Sequence, residues 1–277
     1  MPNSPQPKLR LKDRRRRLMW VKVAAGSTVV VVSLVLMWFV VRLPAITIAS
    51  VEVKGTSAVS ADALKSIAEE KLNGSYAFLI PHRNSLVFPK QKIESAITDA
   101  LPPLAKITIS RNGFNALTIT AEERMAVALW CESTSADVET VSSDVGAPCY
   151  SMDKNGFIFA SADNSSALVR FYGVIPGTPI SSTYLGGDFA SLNTLVTDIA
   201  SSINRIPNSV AVDTESNDVV VALKDGGLLK FVRTSDRLAT LANIASVFAS
   251  QSFKANKEFE YVDFRFGDKV YVKFRGQ

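Results

Sequence analysis

The stretch VAAGSTVVVVSLVLMWFVV, residues 23–41, has no charged side chain in 19 residues, and it determines how the rest of the chain is interpreted. At about 1.5 Å per residue, a helix of this length spans roughly the 30 Å hydrocarbon core of a bilayer. Trp20 and Trp38 lie near its two ends, where indole rings favour the membrane interface. A buried core helix is the alternative, but such a helix is rarely flanked by many arginines. We therefore predict a transmembrane helix at residues 23–41.

The residues before this span are strongly basic. Residues 1–42 carry nine Lys or Arg and one Asp, whereas the remaining 235 residues carry 22 basic and 25 acidic side chains. The net charge of +5 therefore comes from the tail, which argues against a nucleic-acid partner. By the positive-inside rule, we expect residues 1–22 to be a cytoplasmic tail and the domains after the span to be extracytoplasmic. A cleaved signal peptide is the competing interpretation, but its apolar region would be shorter, about 7–15 residues.

Few residues in the chain suit metal or nucleophilic chemistry. Cys131 and Cys149 could form a disulfide in an extracytoplasmic domain, or they could be two free thiols. Together with His82, the one histidine, they cannot supply the usual four ligands of a zinc site. The standard phosphate-binding, nucleophile-elbow and zinc-protease motifs are absent from the sequence. We therefore expect no enzymatic activity and no cofactor.

Residues 46–124 predict a small α+β domain. The segment 46–55 alternates apolar and polar side chains and stops at a glycine, which is typical of a strand. Two segments with apolar residues at helical spacing follow, 60–72 and 89–101. A hairpin closes the domain, because residues 104–124 contain two alternating runs around the turn sequence RNGFNA. The order strand, helix, helix, strand, strand is similar to that of a POTRA domain, a module used for protein–protein contact.

Residues 125–277 predict a second, β-rich domain of mixed type. Several short runs of β-branched and aromatic residues indicate strands, and Asn155-Gly156 indicates a tight turn between two of them. Two amphipathic segments, 188–205 and 235–250, indicate helices. The predicted fold class is therefore α+β, with a transmembrane helix, a POTRA-like βααββ domain and a β-rich domain that contains two helices.

The chain ends on YVDFRFGDKVYVKFRGQ, residues 261–277, which predicts a hairpin with two competing registers. Local turn chemistry favours a two-residue turn at Gly267-Asp268. A three-residue loop, residues 267–269, would instead put six apolar side chains on one face and set Asp263 opposite Lys273. Because a slip by one residue moves one strand's apolar set into water, the three-residue loop is the preferred register. Its apolar pairs are Phe266 with Val270, Phe264 with Val272 and Val262 with Phe274.

The last strand of a chain has no successor to cover its outer side. If that strand lies at the edge of a sheet, it offers unpaired N–H and C=O groups to another polypeptide. A partner strand added at the edge satisfies those groups, and side-chain contacts supply selectivity. The terminal hairpin is therefore the candidate site for a protein partner.

Taken in order, these features resemble the FtsQ/DivIB family of bacterial cell-division proteins, which are bitopic membrane proteins with a POTRA domain. Two departures from the family are visible: residues 112–115 read Asn-Gly-Phe-Asn where many relatives carry Pro-Asn or Pro-Asp, and the pair Cys131 and Cys149 is not a general family feature. The resemblance is carried by four segments: VEVKGTSAVSADAL, ITISRNGFNALTITAEERMAVALW, YSMDKNGFIFA and YVDFRFGDKVYVKF.

The resemblance implies a function, a location and a set of contact residues. It implies a non-enzymatic scaffold that links early and late division proteins, in the bacterial plasma membrane at the division septum. The implied partners are small bitopic proteins like FtsB and FtsL, with other membrane proteins of the division complex contacting the POTRA domain. Carried over by position, the contact residues at the end of the β domain are Phe266, Asp268, Lys269 and Phe274. The alternative is that both Phe side chains fill the core, as the preferred register places them, and that Lys269 is solvated.

Two other classes of protein share part of this layout. A membrane-anchored enzyme of the cell envelope would need convergent carboxylates or a metal site in a cleft. A POTRA-bearing secretion or assembly component would need a membrane barrel after the POTRA units, with many amphipathic strands and aromatic girdles. The predicted helices among the strands of residues 125–277 argue against such a barrel.

Overall fold

The computed structural model describes residues 11–133, 147–162, 167–255, 258–267 and 269–276. It is a mixed α+β structure that begins with an apolar helix and contains one large β-sheet. The chain divides into two compact units, with the boundary between Glu122 and Glu123. This division lies two residues before the boundary that the sequence predicts.

The first helix, α1, extends over Leu11–Val41. In the part of the chain that the structure describes, it is the one helix long and apolar enough to cross a membrane, and its apolar stretch is not buried against the protein. The helix begins well before Val23, where the predicted span begins, because Lys and Arg are good helix formers and continue it through the basic tail.

The first unit after α1 consists of a three-stranded sheet and two helices. Its elements are β1 (Ser50–Lys54), α2 (Ala61–Leu72), β2 (Ser75–Tyr76), β3 (Ile80–Pro81), α3 (Lys90–Ala100), β4 (Leu104–Asn112) and β5 (Ala116–Glu123). The sheet has the order β1-β5-β4, and β1 runs parallel to β5 with Val51 opposite Leu117. The apolar stripes of α2 and α3 pack against this sheet, with Leu64 and Ile97 fully buried and Ile67 partly buried. The short β2–β3 hairpin lies in the connection between the helices, where the sequence shows no regular pattern.

The second unit is built on a nine-stranded sheet. Its elements are β6 (Ala128–Cys131), β7 (Cys149–Met152), β8 (Ile158–Ala162), β9 (Arg170–Tyr172), α4 (Asp188–Ile203), β10 (Pro207–Val212), β11 (Asp218–Leu223), β12 (Leu228–Val232), α5 (Arg237–Ala249), α6 (Gln251–Ala255), β13 (Phe259–Phe266) and β14 (Lys269–Phe274). The strand order is β14-β13-β12-β11-β10-β9-β6-β7-β8. The short α6 is a third helix, where the sequence predicts two.

One face of this sheet holds the main core. Phe189, Leu192 and Ile199 of α4 are buried in it, and α4 also contacts α5. The strands contribute alternate residues such as Val221 and Val262. Because a strand's side chains alternate between faces, the residues beside these point to the other face, which carries the polar groups described below.

At the start of this unit, the side chain of Arg124 contacts Asp153, which lies beside the predicted turn at Asn155-Gly156. Arg124 donates from Nη1 to Asp153 Oδ2 at 2.5 Å, and its guanidinium lies 4.1 Å from the centre of the Phe157 ring. The same aspartate accepts hydrogen bonds from the backbone N–H groups of Asn155 and Phe157, which fixes the predicted turn. The Arg124 and Asp153 segments, separate in the sequence, are therefore joined by a largely buried ion pair.

Cys131 and Cys149 form a disulfide between the neighbouring strands β6 and β7. They face each other in the ladder, with their Cα atoms 4.1 Å apart. The bond therefore closes the connection between two strands that are already paired.

Candidate partner-binding edge

The last strand, β14, lies at one edge of the nine-stranded sheet. It pairs with β13 on one side, and none of the described residues forms a strand on the other side. Arg275 N donates to Glu258 O at 3.3 Å, so the backbone groups of Arg275 point toward β13. Because backbone groups alternate along a strand, those of Val270, Val272 and Phe274 point away from β13. This side of β14 is the open edge.

The register of the terminal hairpin differs from the preferred prediction. Phe266 pairs with Lys269, so the turn has two residues rather than three. Gly267 has φ +64°, the left-handed value that a two-residue hairpin turn requires at its first position. A bulge between Asp263 and Phe266 then shifts the pairing, and Val262 lies opposite Val272. The bulge places one apolar pair opposite each other, but none of the three predicted pairs, Phe266 with Val270, Phe264 with Val272 and Val262 with Phe274, is formed.

The ion pairs of the hairpin change with this register. The predicted pairing of Asp263 with Lys273 is wrong, because Tyr261 lies opposite Lys273 and Asp263 lies opposite Tyr271. Lys273 instead contacts Glu260, with Nζ 2.5 Å from Oε2. The pKa of the Lys273 ammonium is accordingly raised, first by its hydrogen bond to Glu260 and then by the negative charge of that carboxylate.

Asp263 and Arg265 stabilise the bulge. The carboxylate of Asp263 accepts a hydrogen bond from the backbone N–H of Arg265 at 3.0 Å and two from its guanidinium, at 2.9 and 2.6 Å. The guanidinium also donates from Nη1 to Asp218 Oδ2, at the start of β11, at 2.5 Å. One side chain thus holds β13 and β11 together across β12, and the N–H group freed by the bulge is satisfied.

These contacts set the charge state of the buried carboxylate. Asp263 is only 4% exposed, and its burial would raise the pKa of the carboxyl group. The hydrogen bonds and positive charge of Arg265, with the charge of Lys230, outweigh burial and hold the pKa of Asp263 below its ordinary value. The pKa of Arg265 is raised, first by its hydrogen bond to Asp263. Both groups are charged at neutral pH.

An aromatic pair lies exposed at the turn end of the hairpin. Phe266 is 56% exposed and Tyr271 is 50% exposed, with their ring centres 5.1 Å apart in an edge-to-face arrangement. The Arg265 guanidinium lies 5.9 Å from the Phe266 ring. The exposed side chains of β14 alternate as Lys269, Tyr271 and Lys273, while those between them pack on the core. The edge therefore presents two lysines around an exposed aromatic pair.

The predicted contact residues separate into two groups. Phe266 and Lys269 face each other at the turn, and both are exposed, so the inward orientation expected for Phe266 is wrong. Phe274 lies at the other end of β14, half-buried, with its ring centre 5.2 Å from that of Phe253. Asp268 lies outside the described residues.

Sequence reasoning missed Tyr271. Its place between Lys269 and Lys273, at alternate positions of one strand, is the signal that could have identified it as part of the outer face. Among the residues that the structure describes, no group of three His, Cys, Asp or Glu side chains could hold a metal ion.

A scan of the chain against protein-family models found no match, and a search of curated proteins found none.

Proposed function

We propose that this chain is a non-enzymatic, single-pass membrane scaffold of the bacterial division complex, of the kind that the FtsQ/DivIB resemblance implies. It binds a bitopic partner like FtsB or FtsL by adding a strand of that partner to β14. The observation that carries the proposal is the open edge of β14 beside an exposed aromatic pair. Unpaired backbone groups supply affinity, and the neighbouring side chains supply selectivity.

The side chains of the open edge suit such a partner. Phe266 and Tyr271 provide the aromatic contact area that often dominates protein interfaces. Lys269 is exposed at the same end and would favour an acidic side chain on the incoming strand. Phe274 packs inward, so in this proposal it supports β14 and does not contact the partner.

The remaining parts of the proposal concern location. The basic residues that precede the apolar stretch 23–41 favour a cytoplasmic N-terminus, which would place both units outside the plasma membrane. The first unit, as a POTRA-like module, would contact other membrane proteins of the division complex. The scaffold would then concentrate early and late division proteins at the septum.

A matched pair of variants tests strand addition. Val272→Pro removes an N–H group that points away from β13 and leaves the β13–β14 ladder intact. Val272→Ala loses comparable side-chain packing but keeps that N–H. The full chain, solubilised in detergent, is used to capture co-expressed FtsB-like and FtsL-like proteins. We expect Val272→Pro to lower recovery about tenfold and Val272→Ala to lower it little, because only the first blocks pairing.

Equal recovery by both variants, with both folded, would contradict strand addition at β14. The cellular part of the proposal has a separate test, a fluorescent fusion of the full chain. A midcell band in dividing cells is expected, whereas a uniform rim would reject a role in division and leave the binding result standing.

A further inference from the structure

The first unit has exposed apolar side chains of its own besides those of α1. Among its described residues outside that helix, the large apolar side chains that are exposed form a set that we term the membrane-proximal patch. It consists of Leu43, Phe78, Leu79, Leu86, Val87 and Phe114. An apolar patch of this kind on a folded unit usually marks a surface of interaction.

Hydrogen bonds attach most of this patch to the end of α1. Asn84 Nδ2 donates to Val41 O at 2.8 Å, and Arg42 donates from Nη2 to Phe78 O at 3.3 Å. Ile48 N donates to Arg83 O at 2.7 Å. The segment that carries Phe78, Leu79, Leu86 and Val87 is therefore held where the chain leaves the apolar helix.

The β4–β5 turn brings Phe114 to the same end of the unit. Ala49 N donates to Asn115 O at 2.7 Å, just before β1 begins. Arg111 donates from Nη1 to Ser85 O at 3.5 Å. Two loops that are distant in the sequence thus meet beside the residues that follow α1.

The backbone at Phe78 is unusual. Ala77 and Phe78 have φ values of 44° and 62°, in the left-handed region that residues with a Cβ atom rarely adopt. A hydrogen bond from Leu79 N to Tyr76 O at 2.9 Å closes this turn. The result is a Phe side chain that is 91% exposed at the tip of a strained turn. Strain of this kind is often retained at functional positions.

The charges around the patch have one sign. Residues 42–50, 76–88 and 111–116 contain Arg42, Arg83 and Arg111 but no Asp or Glu. Exposed aromatic and aliphatic side chains mixed with arginine are typical of surfaces that lie in the headgroup region of a bilayer. A protein partner would not require the patch to lie beside the end of α1, whereas a bilayer crossed by α1 does.

We propose that the membrane-proximal patch is inserted in the lipid interface of the leaflet from which α1 emerges. Phe78 and Leu79 reach the boundary between headgroups and acyl chains, and the arginines face lipid phosphates. The contact is additional to the span and separate from partner binding at β14. It would fix the first unit against the membrane surface instead of leaving it on a free tether.

A spin label at position 78 tests the contact in the full chain. Phe78→Cys provides the labelled thiol, because Cys131 and Cys149 are bridged and do not react. Lys106→Cys is the matched control. It is exposed on the same unit and lies six positions along β4, about 20 Å, from Asn112 at the patch end of that strand. Both proteins are placed in nanodiscs of phosphatidylethanolamine and phosphatidylglycerol, and collisions with oxygen and with a water-soluble nickel complex are measured.

We expect the label at position 78 to collide with the nickel complex about threefold less often than the control, and more often with oxygen, as a label in lipid does. Equal exposure of both labels to the nickel complex would overturn the proposal. Protection of position 78 from both reagents would also overturn it, because that result indicates cover by protein.

Discussion

The two edges of the nine-stranded sheet differ although they belong to one unit. At β8, Ile158 N donates to Ser182 O and Ser181 N donates to Ile158 O, both at 2.9 Å. A further bridge joins Phe157 to Thr183. At β14, no described residue pairs with the outer side.

The two edges of the sheet are thus protected from unwanted pairing in different ways. An uncovered strand attracts other strands, and proteins usually protect it with a loop, a charge or a bulge. Here one edge is covered at Phe157 and Ile158, where the chain's own loop pairs with it. The other carries Lys269, Lys273 and a bulge, which limit unspecific pairing, yet its backbone stays accessible. That combination suits a strand that pairs with one specific protein partner.

The largest expected effect is at the closed edge. Gly156 has φ +80°, and a Cβ atom there would lie 2.5 Å from Tyr184 O and 2.9 Å from Phe189 Cβ. Gly156→Ala is expected to lower the free energy of unfolding by about 4 kcal/mol, through backbone strain and overpacking. Denaturant unfolding is followed by Trp130 fluorescence in a chain that carries Trp20→Phe and Trp38→Phe, so that the second unit alone reports.

Gly267→Ala at the open edge is the matched control. Gly267 also has a positive φ, but a Cβ atom there would have no neighbour within 4 Å. We expect a loss of only about 1 kcal/mol, from the backbone conformation alone. Equal losses for both glycine variants would mean that the covering loop is not packed as described.

The disulfide gives the next effect in size. It joins β6 to β7, next to the closed edge, across a sequence separation of 18 residues. Removing it with Cys131→Ala and Cys149→Ala should cost about 3 kcal/mol in the chain-entropy model. The same Trp130 fluorescence measures the loss, and reduction of the unaltered chain should reproduce it. Partner recovery through β14 should not change, and a parallel loss of recovery would show that the two edges are coupled.

Arg265→Ala tests the bulge behind the open edge. The variant leaves the buried Asp263 carboxylate without its main partner, and about 2 kcal/mol should be lost at pH 7. The pKa of Asp263 is lower in the folded state than in the unfolded state. The charged carboxylate therefore stabilises the fold above the unfolded-state pKa of about 3.9, and this stabilisation is lost as the pH falls through the folded-state pKa. In the variant, burial acts with less opposition and the pKa should rise.

The difference in unfolding free energy between the unaltered chain and Arg265→Ala should therefore shrink as the pH falls below about 4. Unfolding curves at several pH values measure it. Arg275→Ala, which removes an exposed arginine just after β14, is the control and should change stability by about 0.5 kcal/mol or less. A difference for Arg265→Ala that does not depend on pH would contradict the role given to Asp263.

The smallest expected effect on stability is at the exposed aromatic pair. Tyr271→Ala should lower the free energy of unfolding by about 0.5–1 kcal/mol, because half of the side chain is already in water. Recovery of the proposed partner should nevertheless fall about tenfold, as for an aromatic anchor at an interface. Phe259→Ala, in the buried core on β13, is the contrasting variant and should cost about 3–5 kcal/mol. Unchanged recovery with Tyr271→Ala would remove the aromatic pair from the interface.

The terminal hairpin shows why part of the site could not be predicted. The sequence indicates two strands and a turn, since those depend on alternation and on Gly267. It does not show the bulge, because the Arg265 side chain that stabilises the bulge is also held by Asp218 of β11, which lies 47 residues away. The outward orientation of Phe266 follows from that bulge, and so the preferred register was wrong.

The sequence by itself determined the elements whose signals are local. The apolar run predicted α1, helical spacing predicted α2 to α5, and the change of pattern near Met125 lies close to the division between the units. Tertiary structure alone decided the order of strands, the pairing at β8, the open side of β14 and the hydrogen bonds that bring the β4–β5 turn to the segment after α1. Those features come from contacts between distant segments, and a periodic pattern fixes which face of a strand is buried but not which strand lies beside it.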